Sequence, residues 1–299
     1  MTRIALAYSG SPDTSHAIEW LADVHAAEVV TLTLDLGQGR RLEAVRDRAL
    51  GMGASRAHVL DVYEEFAREY FLRALRADAL LVEGRSLVGA LSRPLLARKL
   101  VEIAEIEQTT TVAHACAASD ARIATAVRAL KPHFAVVAVP RAGRADQTAR
   151  SRSAAEYPSE PAFVELAFER GSPVAINAIP MPLLDLVGSL DIIAAAHGVG
   201  RCHGLETPAA TVLSAAHRAV EAQAADEHLS RRYADVIESG DWFTSEREAL
   251  DANVARAQER VSGIARLKLF RGACEIVERR NLELRGRRSE LLASSRLSR

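Results

Sequence analysis

Four hydroxyl side chains, a glycine and a carboxylate fall within one short stretch near the start of the chain: Ser9, Gly10, Ser11, Asp13, Thr14 and Ser15. An apolar run, Ile4 to Tyr8, precedes them, and beyond Pro12 the residues Ile18, Leu21 and Val24 recur at helical spacing. A buried strand that ends in a Gly-containing turn and opens a helix aims backbone N–H groups and the positive end of the helix dipole at one point. That point suits a phosphate. Pro12 is tolerated there because a first-turn N–H has no helical partner. No Lys follows the glycine, so this is not the lysine-bearing GxxxxGK[ST] loop. The plain alternative is an ordinary strand-to-helix turn with a Ser cap. Asp13 could orient Mg2+-bound phosphates or simply stabilise the helix start.

Other candidates lie at predicted strand ends or on loops. Asp35 and Gln38 follow a second apolar run, where an Asp is equally a turn former. His114 also ends a strand; a histidine there is more often packed or hydrogen-bonded than catalytic. Cys116, flanked by alanines, reads as a small buried hydrophobe. Arg85 and Arg93 could fork onto a carboxylate substrate, or cap and bridge structural elements. His197, His203 and His217 lack zinc spacing on one helix face, so no metal is assigned beyond Mg2+ accompanying a nucleotide.

The elements that must position these residues follow from periodicity. Strands are expected at Ile4–Tyr8, Glu28–Asp35, Ala57–Val62, Thr109–Ala113 and Phe134–Val139. Helices are expected from Pro12, over Arg41–Gly51 with Leu42, Val45 and Leu50 inward, over Tyr63–Ala79, and over Pro94–Glu107. Alternating strands and helices indicate an α/β fold with a doubly wound parallel sheet. Such sheets bind ligands beyond the carboxyl ends of their strands, where Ser9, Asp35 and Asp61 all fall. Residues 141–161 lose apolar periodicity and read as a connection. Beyond it, hairpins are expected at Phe163–Asn177 and around Arg271-Gly272, with helices over Leu183–Ala196 and Ala209–Ser239. The basic end, Arg285 to Arg299, is left unassigned.

Composition bounds the class. The 299 residues carry a formal net charge of −1, with no basic stripe interleaved with aromatics, so a nucleic-acid or membrane surface is not indicated. Three well-separated cysteines, Cys116, Cys202 and Cys274, suggest neither a disulfide framework nor a zinc site and fit a reducing cytoplasm. No run approaches membrane-spanning length, and no leader is expected.

Taken together, the motifs resemble those of the argininosuccinate synthase family. Ala7-Tyr8-Ser9-Gly10-Ser11-Pro12-Asp13-Thr14-Ser15 is similar to the family's AYSGGLDTS, and Asp35-Leu36-Gly37-Gln38-Gly39 to its DxGQG. Glu83-Gly84-Arg85, Leu91-Ser92-Arg93-Pro94 and Ala113-His114-Ala115-Cys116 resemble EGR, LARP and AHGC; later matches run through Glu160 to Asn177, His197 to Arg201, Glu206 to Pro208 and Val261 to Arg271. The resemblance implies an ATP-pyrophosphatase-type nucleotide domain (adenine-nucleotide α-hydrolase-like) over residues 1–145. A linker would follow at 146–161, then an α+β synthetase-like domain at 162–284 and a tail at 285–299. It implies ATP and Mg2+ as cofactors, a homo-oligomer (dimer or tetramer) and a cytoplasmic enzyme. On it the nucleotide set is Ala7, Tyr8, Ser9, Gly10, Ser11, Asp13, Thr14, Ser15, Leu34, Asp35, Gln38, His114 and Ala115, with Asp13 and Ser9 closest to the chemistry. The substrate set is Arg85, Arg93, Asp120, Arg122, Arg201 and Glu206.

The departures concentrate where the family binds its amino acids. Val82 replaces the tyrosine before EGR, and Ala90 replaces the hydroxyl residues before LARP. Residues 113–125 lack most polar groups of AHGCTGKGNDQVRFE, and the segment with the WGRS serine has no counterpart. Ser11 stands where the family has Gly, which matters if the backbone there needs a positive φ. A site built to hydrogen-bond its substrate loses decades of selectivity without those partners. The expectation is therefore a ligase that adenylates a carbonyl, ureido or carboxyl oxygen, releases pyrophosphate and joins the activated carbon to an amine, with citrulline plus aspartate disfavoured. The alternatives are a non-catalytic relative that binds nucleotide as a partner or regulator and, more weakly, a sulfur-transfer or amidation enzyme.

Overall fold

The computed structural model describes residues 2–37, 42–116, 121–140, 157–202, 205–221 and 226–281. The expected tail at 285–299, and the expected linker up to residue 156, lie outside these. The chain forms two compact units, the first comprising residues 1–66, 90–146 and 236–245 and the second residues 67–89, 147–235 and 246–299.

The first unit is built on five strands: β1 (Thr2–Ala7), β2 (Ala27–Asp35), β3 (Arg56–Asp61), β4 (Thr111–His114) and β5 (Ala135–Ala138). All pair in parallel, in the order β3-β2-β1-β4-β5. The doubly wound sheet is thus as expected. Alternate side chains of the central strands feed two cores. Ile4, Leu6 and Val29 face helices α1 (Pro12–His25) and α2 (Leu42–Gly51), whose Ala17, Ile18, Leu21 and Ala49 complete that layer. Ala5, Ala7, Val30 and Leu32 face α3 (Val88–Ile106) and α4 (Arg122–Leu130) through Ala97, Leu100, Ile123 and Val127. Burial on both faces explains why β1 and β2 read as continuous apolar runs.

At the amino-terminal rim of this sheet, the buried carboxylate of Glu107 accepts from Arg3, Arg56 and His58. Burial works to raise its pKa, but the bonds from His58 and Arg56 outweigh it and hold the group below the usual glutamate value. This cluster pins the strand starts, leaving the carboxyl-end rim to the loops.

Several expectations shift. Val24 is 59 % exposed, and Trp20 instead packs on the α1 core. Leu50 is 38 % exposed while Ala49 is fully buried, although Val45 packs on the core as expected. The stretch from Tyr63 is not one uniform helix: Tyr63–Phe66 and Leu72–Arg76 are α-helical and Ala67–Phe71 forms a π turn. Helix α3 starts six residues before Pro94, which lies inside it. Helix α4 was not expected, although Ile123, Ala126 and Val127 carry its helical spacing.

The second unit centres on an antiparallel sheet of β6 (Ala162–Glu169), β7 (Ser172–Ile176), β8 (Ile179–Pro180), β9 (Gly263–Phe270) and β10 (Ala273–Asn281), in the order β8-β7-β6-β9-β10. Both expected hairpins form, and β6 and β9, nearly a hundred residues apart in the chain, pair at the centre. Helices α5 (Leu183–Ala196) and α6 (Pro208–Glu221) accompany it. The expected helix Ala209–Ser239 is two, α6 and α7 (Glu227–Ser239). Helix α8 (Ser245–Gln258) was missed, because its buried apolar residues are few, chiefly Leu250 and Val254. Among the described residues no helix is long and apolar enough to cross a membrane.

Candidate active site

The residues singled out at the start of the chain form a compact loop between β1 and α1. Tyr8 continues the strand by donating its backbone N–H to Leu32, and its buried ring carries a hydroxyl 3.1 Å from Ser15 Oγ. Gly10 has φ +73°, a conformation that a side chain resists, and a Cβ there would press on the methyls of Val45 at 3.3 Å. Ser11 has φ −75° and ψ 159°. No positive φ is needed where the family has its second glycine, so Ser is accommodated. It serves as the N-cap of α1, its Oγ accepting from the Thr14 N–H.

The hydroxyls of Ser9, Ser11 and Thr14 form one cluster. Ser9 Oγ lies 3.1 Å from Ser11 Oγ, which lies 3.1 Å from Thr14 Oγ1. Among the described residues nothing accepts from the backbone N–H groups of Gly10 and Ser11. Pro12 and Asp13 occupy the first turn of α1. Amides, hydroxyls and the helix start thus converge as a donor set that could bind phosphate oxygens, with the Asp13 carboxylate in the same turn.

Position in the sheet strengthens the site. Strand order reverses between β1 and β4, and the crevice at such a switch point is where open α/β sheets bind ligands. The register Ala5↔Val112 and Leu6↔Ala113 brings His114 and Ala115 to the rim occupied by Ser9. His114 is buried, and its Nδ1 accepts from the Cys116 N–H, so the proton of a neutral ring sits on Nε2. Leu34 and Asp35 end β2 on the same rim. Asp35 Oδ1 accepts from the Gly37 N–H, which makes this carboxylate a turn former, the bland alternative of the sequence reading.

The remaining candidates fall in one unit or the other, or outside the described residues. Gln38 and Asp120 lie outside the described residues, as do the side chains of Arg201 and Glu206, whose backbones pair in a two-residue ladder. Arg122 is the first residue of α4, and Arg93 is half-buried in α3, both in the first unit. Arg85 is exposed on a short hairpin with Leu81–Val82 and belongs to the second unit. Sequence reasoning missed Arg48. From α2 it donates Nη1 to the Gly10 carbonyl at 2.8 Å. It lies on the polar face of its helix, so periodicity carries no signal for it.

Comparison with known proteins is consistent along the chain. A family model described as the arginosuccinate synthase N-terminal HUP domain matches residues 3–161, and one described as the arginosuccinate synthase C-terminal domain matches residues 142–285. Proteins named argininosuccinate synthase from Bacillus thuringiensis (strain Al Hakam), Bacillus cereus (strain AH820) and Bacillus anthracis (strain CDC 684 / NRRL 3495) are each 33 % identical to it. Each alignment covers 94 % of this chain and 88 % of the relative. The alignments run over 353 positions against 299 residues here, so the relatives carry internal segments that this chain lacks.

Proposed function

The chain belongs to the argininosuccinate synthase family, and from that premise we propose that it is an ATP-dependent ligase of altered substrate choice. In this reading it adenylates a carbonyl, ureido or carboxyl oxygen and forms a C–N bond with an amine other than that of aspartate. The observation that carries it is the β1–α1 loop at the switch point of the sheet, where Gly10 and Ser11 N–H groups, three clustered hydroxyls and a helix start converge.

In the proposed reaction the substrate oxygen attacks the α-phosphorus of ATP and the bond to the bridging oxygen of the β-phosphate breaks, so pyrophosphate leaves. The amine then attacks the activated carbon, AMP departs with the substrate oxygen, and the amine gives up a proton. Hydrogen bonds from Ser9, Thr14 and the loop amides, the Ser11 N–H among them, would stabilise the charge gathering on pyrophosphate. The loop's donors suit phosphate oxygens; among the described residues no group of three or more His, Cys, Asp or Glu side chains could hold a metal alone. Mg2+ would therefore arrive on the phosphates, facing Asp13, and would neutralise their charge. Ser15 fixes the Tyr8 ring, and Leu34, Asp35, His114 and Ala115 would line the nucleoside side of the rim.

Val82, Ala90 and the alanine-rich 113–125 segment support substrates other than citrulline and aspartate, because the polar groups of the family pattern are absent there. Arg85, Arg93, Arg122, Arg201 and Glu206, with Asp120, are the proposed substrate-facing set. A homo-oligomer, a cytoplasmic location and the division at residues 145 and 162 belong to the same reading. The deciding experiment is pyrophosphate release from ATP, screened over ureido and carboxylic acids with amine acceptors. Substrate-dependent release that disappears in Asp13→Ala supports the ligase. A folded, ATP-binding protein silent across the panel would instead assign a non-catalytic nucleotide-binding role, and absence of Mg-ATP binding would overturn both.

A further inference from the structure

The second unit holds a cavity of about 400 Å3 whose walls include Arg68, Leu72, Arg73 and Arg76 from the helical stretch Ala67–Arg76, and Asp251 and Val254 from α8. Three guanidinium-bearing residues thus face one carboxylate. That carboxylate is already committed: Asp251 accepts from Arg73 at 2.7 Å, from Tyr233 at 2.7 Å and from Arg247. Arg73 also pairs with Glu69. Arg76 is left over. Among the described residues it makes no ion pair, and its Nε is buried with no hydrogen-bond partner. Burial and the neighbouring Arg73 disfavour its charge and, although Asp251 opposes them, lower its pKa from the ordinary arginine value. A partly buried cation whose one nearby carboxylate, Asp251, is already bonded to three other groups is costly unless something outside the chain supplies further charge. The π turn Ala67–Phe71, which carries Arg68, is a type of irregularity that recurs at functional sites.

We propose that this cavity binds a small organic oxyanion, a carboxylate or phosphate, which takes a bidentate pair of hydrogen bonds from Arg76 and sets its apolar part against Leu72 and Val254. The guanidinium fork matches both anion types, and the volume suits a metabolite-sized ligand. The inference uses no residue of the nucleotide loop and stands independently of the ligase reading.

The test is calorimetric titration of the full-length protein with succinate and with inorganic phosphate at constant ionic strength. Saturable binding of at least one probe is expected. Arg76→Gln should weaken it on the order of tenfold to hundredfold, as expected for bonds to a charged group, and Arg76→Lys should weaken it less. Thr14→Val, which alters the nucleotide loop, should leave it unchanged. If Arg76→Gln fails to fold, Ala252→Trp, which fills the cavity without removing a charge, should abolish binding. No saturable binding of either probe, binding unchanged in Arg76→Gln or Ala252→Trp, or binding lost in Thr14→Val would overturn the proposal.

Discussion

Arg48 on α2 holds the Gly10 carbonyl at 2.8 Å, tying the tip of the β1–α1 loop to the neighbouring helix. In a trans peptide the carbonyl and the following N–H point in opposite directions. Fixing the Gly10 oxygen therefore also fixes the direction of the Ser11 N–H, one of the amides available to a phosphate. Arg48→Ala should leave the fold intact, since the side chain is exposed, but should weaken Mg-ATP binding by about tenfold, the worth of one charge-assisted bond. Calorimetry beside circular dichroism would separate the two effects. Unchanged affinity would mean the loop holds its shape without this anchor.

Asp13 lies in the first turn of α1, where a carboxylate is worth roughly 0.3–1 kcal/mol to the helix. Asp13→Asn should lose that helix contribution in chemical denaturation. Its effect on nucleotide should be larger and Mg2+-dependent. ATP affinity measured with Mg2+ should fall well below that of the parent protein, while affinity measured in EDTA should barely move. Equal losses in both conditions would reduce Asp13 to a structural role.

Ser11 caps α1 from a φ of −75°, which any residue can adopt. Ser11→Ala should therefore destabilise the protein by about 0.5–2 kcal/mol, whereas Ser11→Gly should cost only a few tenths. Ser11→Gly also recreates the family's glycine, and with the Gly10 and Ser11 amides unaltered it should keep ATP binding. Thermal unfolding with and without Mg-ATP reads both. Loss of binding in both variants would show that the hydroxyl itself touches phosphate.

A buried network in the second unit sets a pH signature. His217 Nε2 lies 3.0 Å from Gln258 Oε1, and the Gln258 amide donates to Glu221. Burial lowers the pKa of His217 to about 4, against the opposing bond from Gln258, and raises that of Glu221 to about 7. Arg76, Arg218 and Asp78 are the other charges facing the pair. The depressed histidine binds fewer protons folded than unfolded, so its contribution to stability grows as pH rises from about 4 to 6.5. The elevated glutamic acid binds more protons folded, so its contribution is complete below 4.5 and is lost as pH rises through about 7. Between 4.5 and 6.5 the two slopes oppose each other and largely cancel. Glu221→Gln should unmask the histidine, making stability climb by on the order of 2 kcal/mol from pH 4.5 to 6.5. Urea midpoints across that range would check it; a flat profile in the variant would show that the histidine does not titrate there.

The sequence by itself determined the parallel sheet, the loop between β1 and α1 and the family. These rest on local information: apolar runs buried on both faces, a Pro and hydroxyls at a helix start, and motifs in order. Even Ser11, the doubtful substitution, was readable as an N-cap.

Only the tertiary structure decided the rest. Periodicity placed Val24 and Leu50 inward, but the neighbouring elements chose Trp20 and Ala49, because the surface available on the sheet sets the phase of a helix. Asp35 could have been ligand or turn former, and its bond to Gly37 became visible only with the backbone in place. Arg48, Arg76 and the His217–Gln258–Glu221 network left no trace in spacing. The groups around them come largely from distant segments, and the importance of a buried charge depends on what surrounds it rather than on its neighbours in the chain.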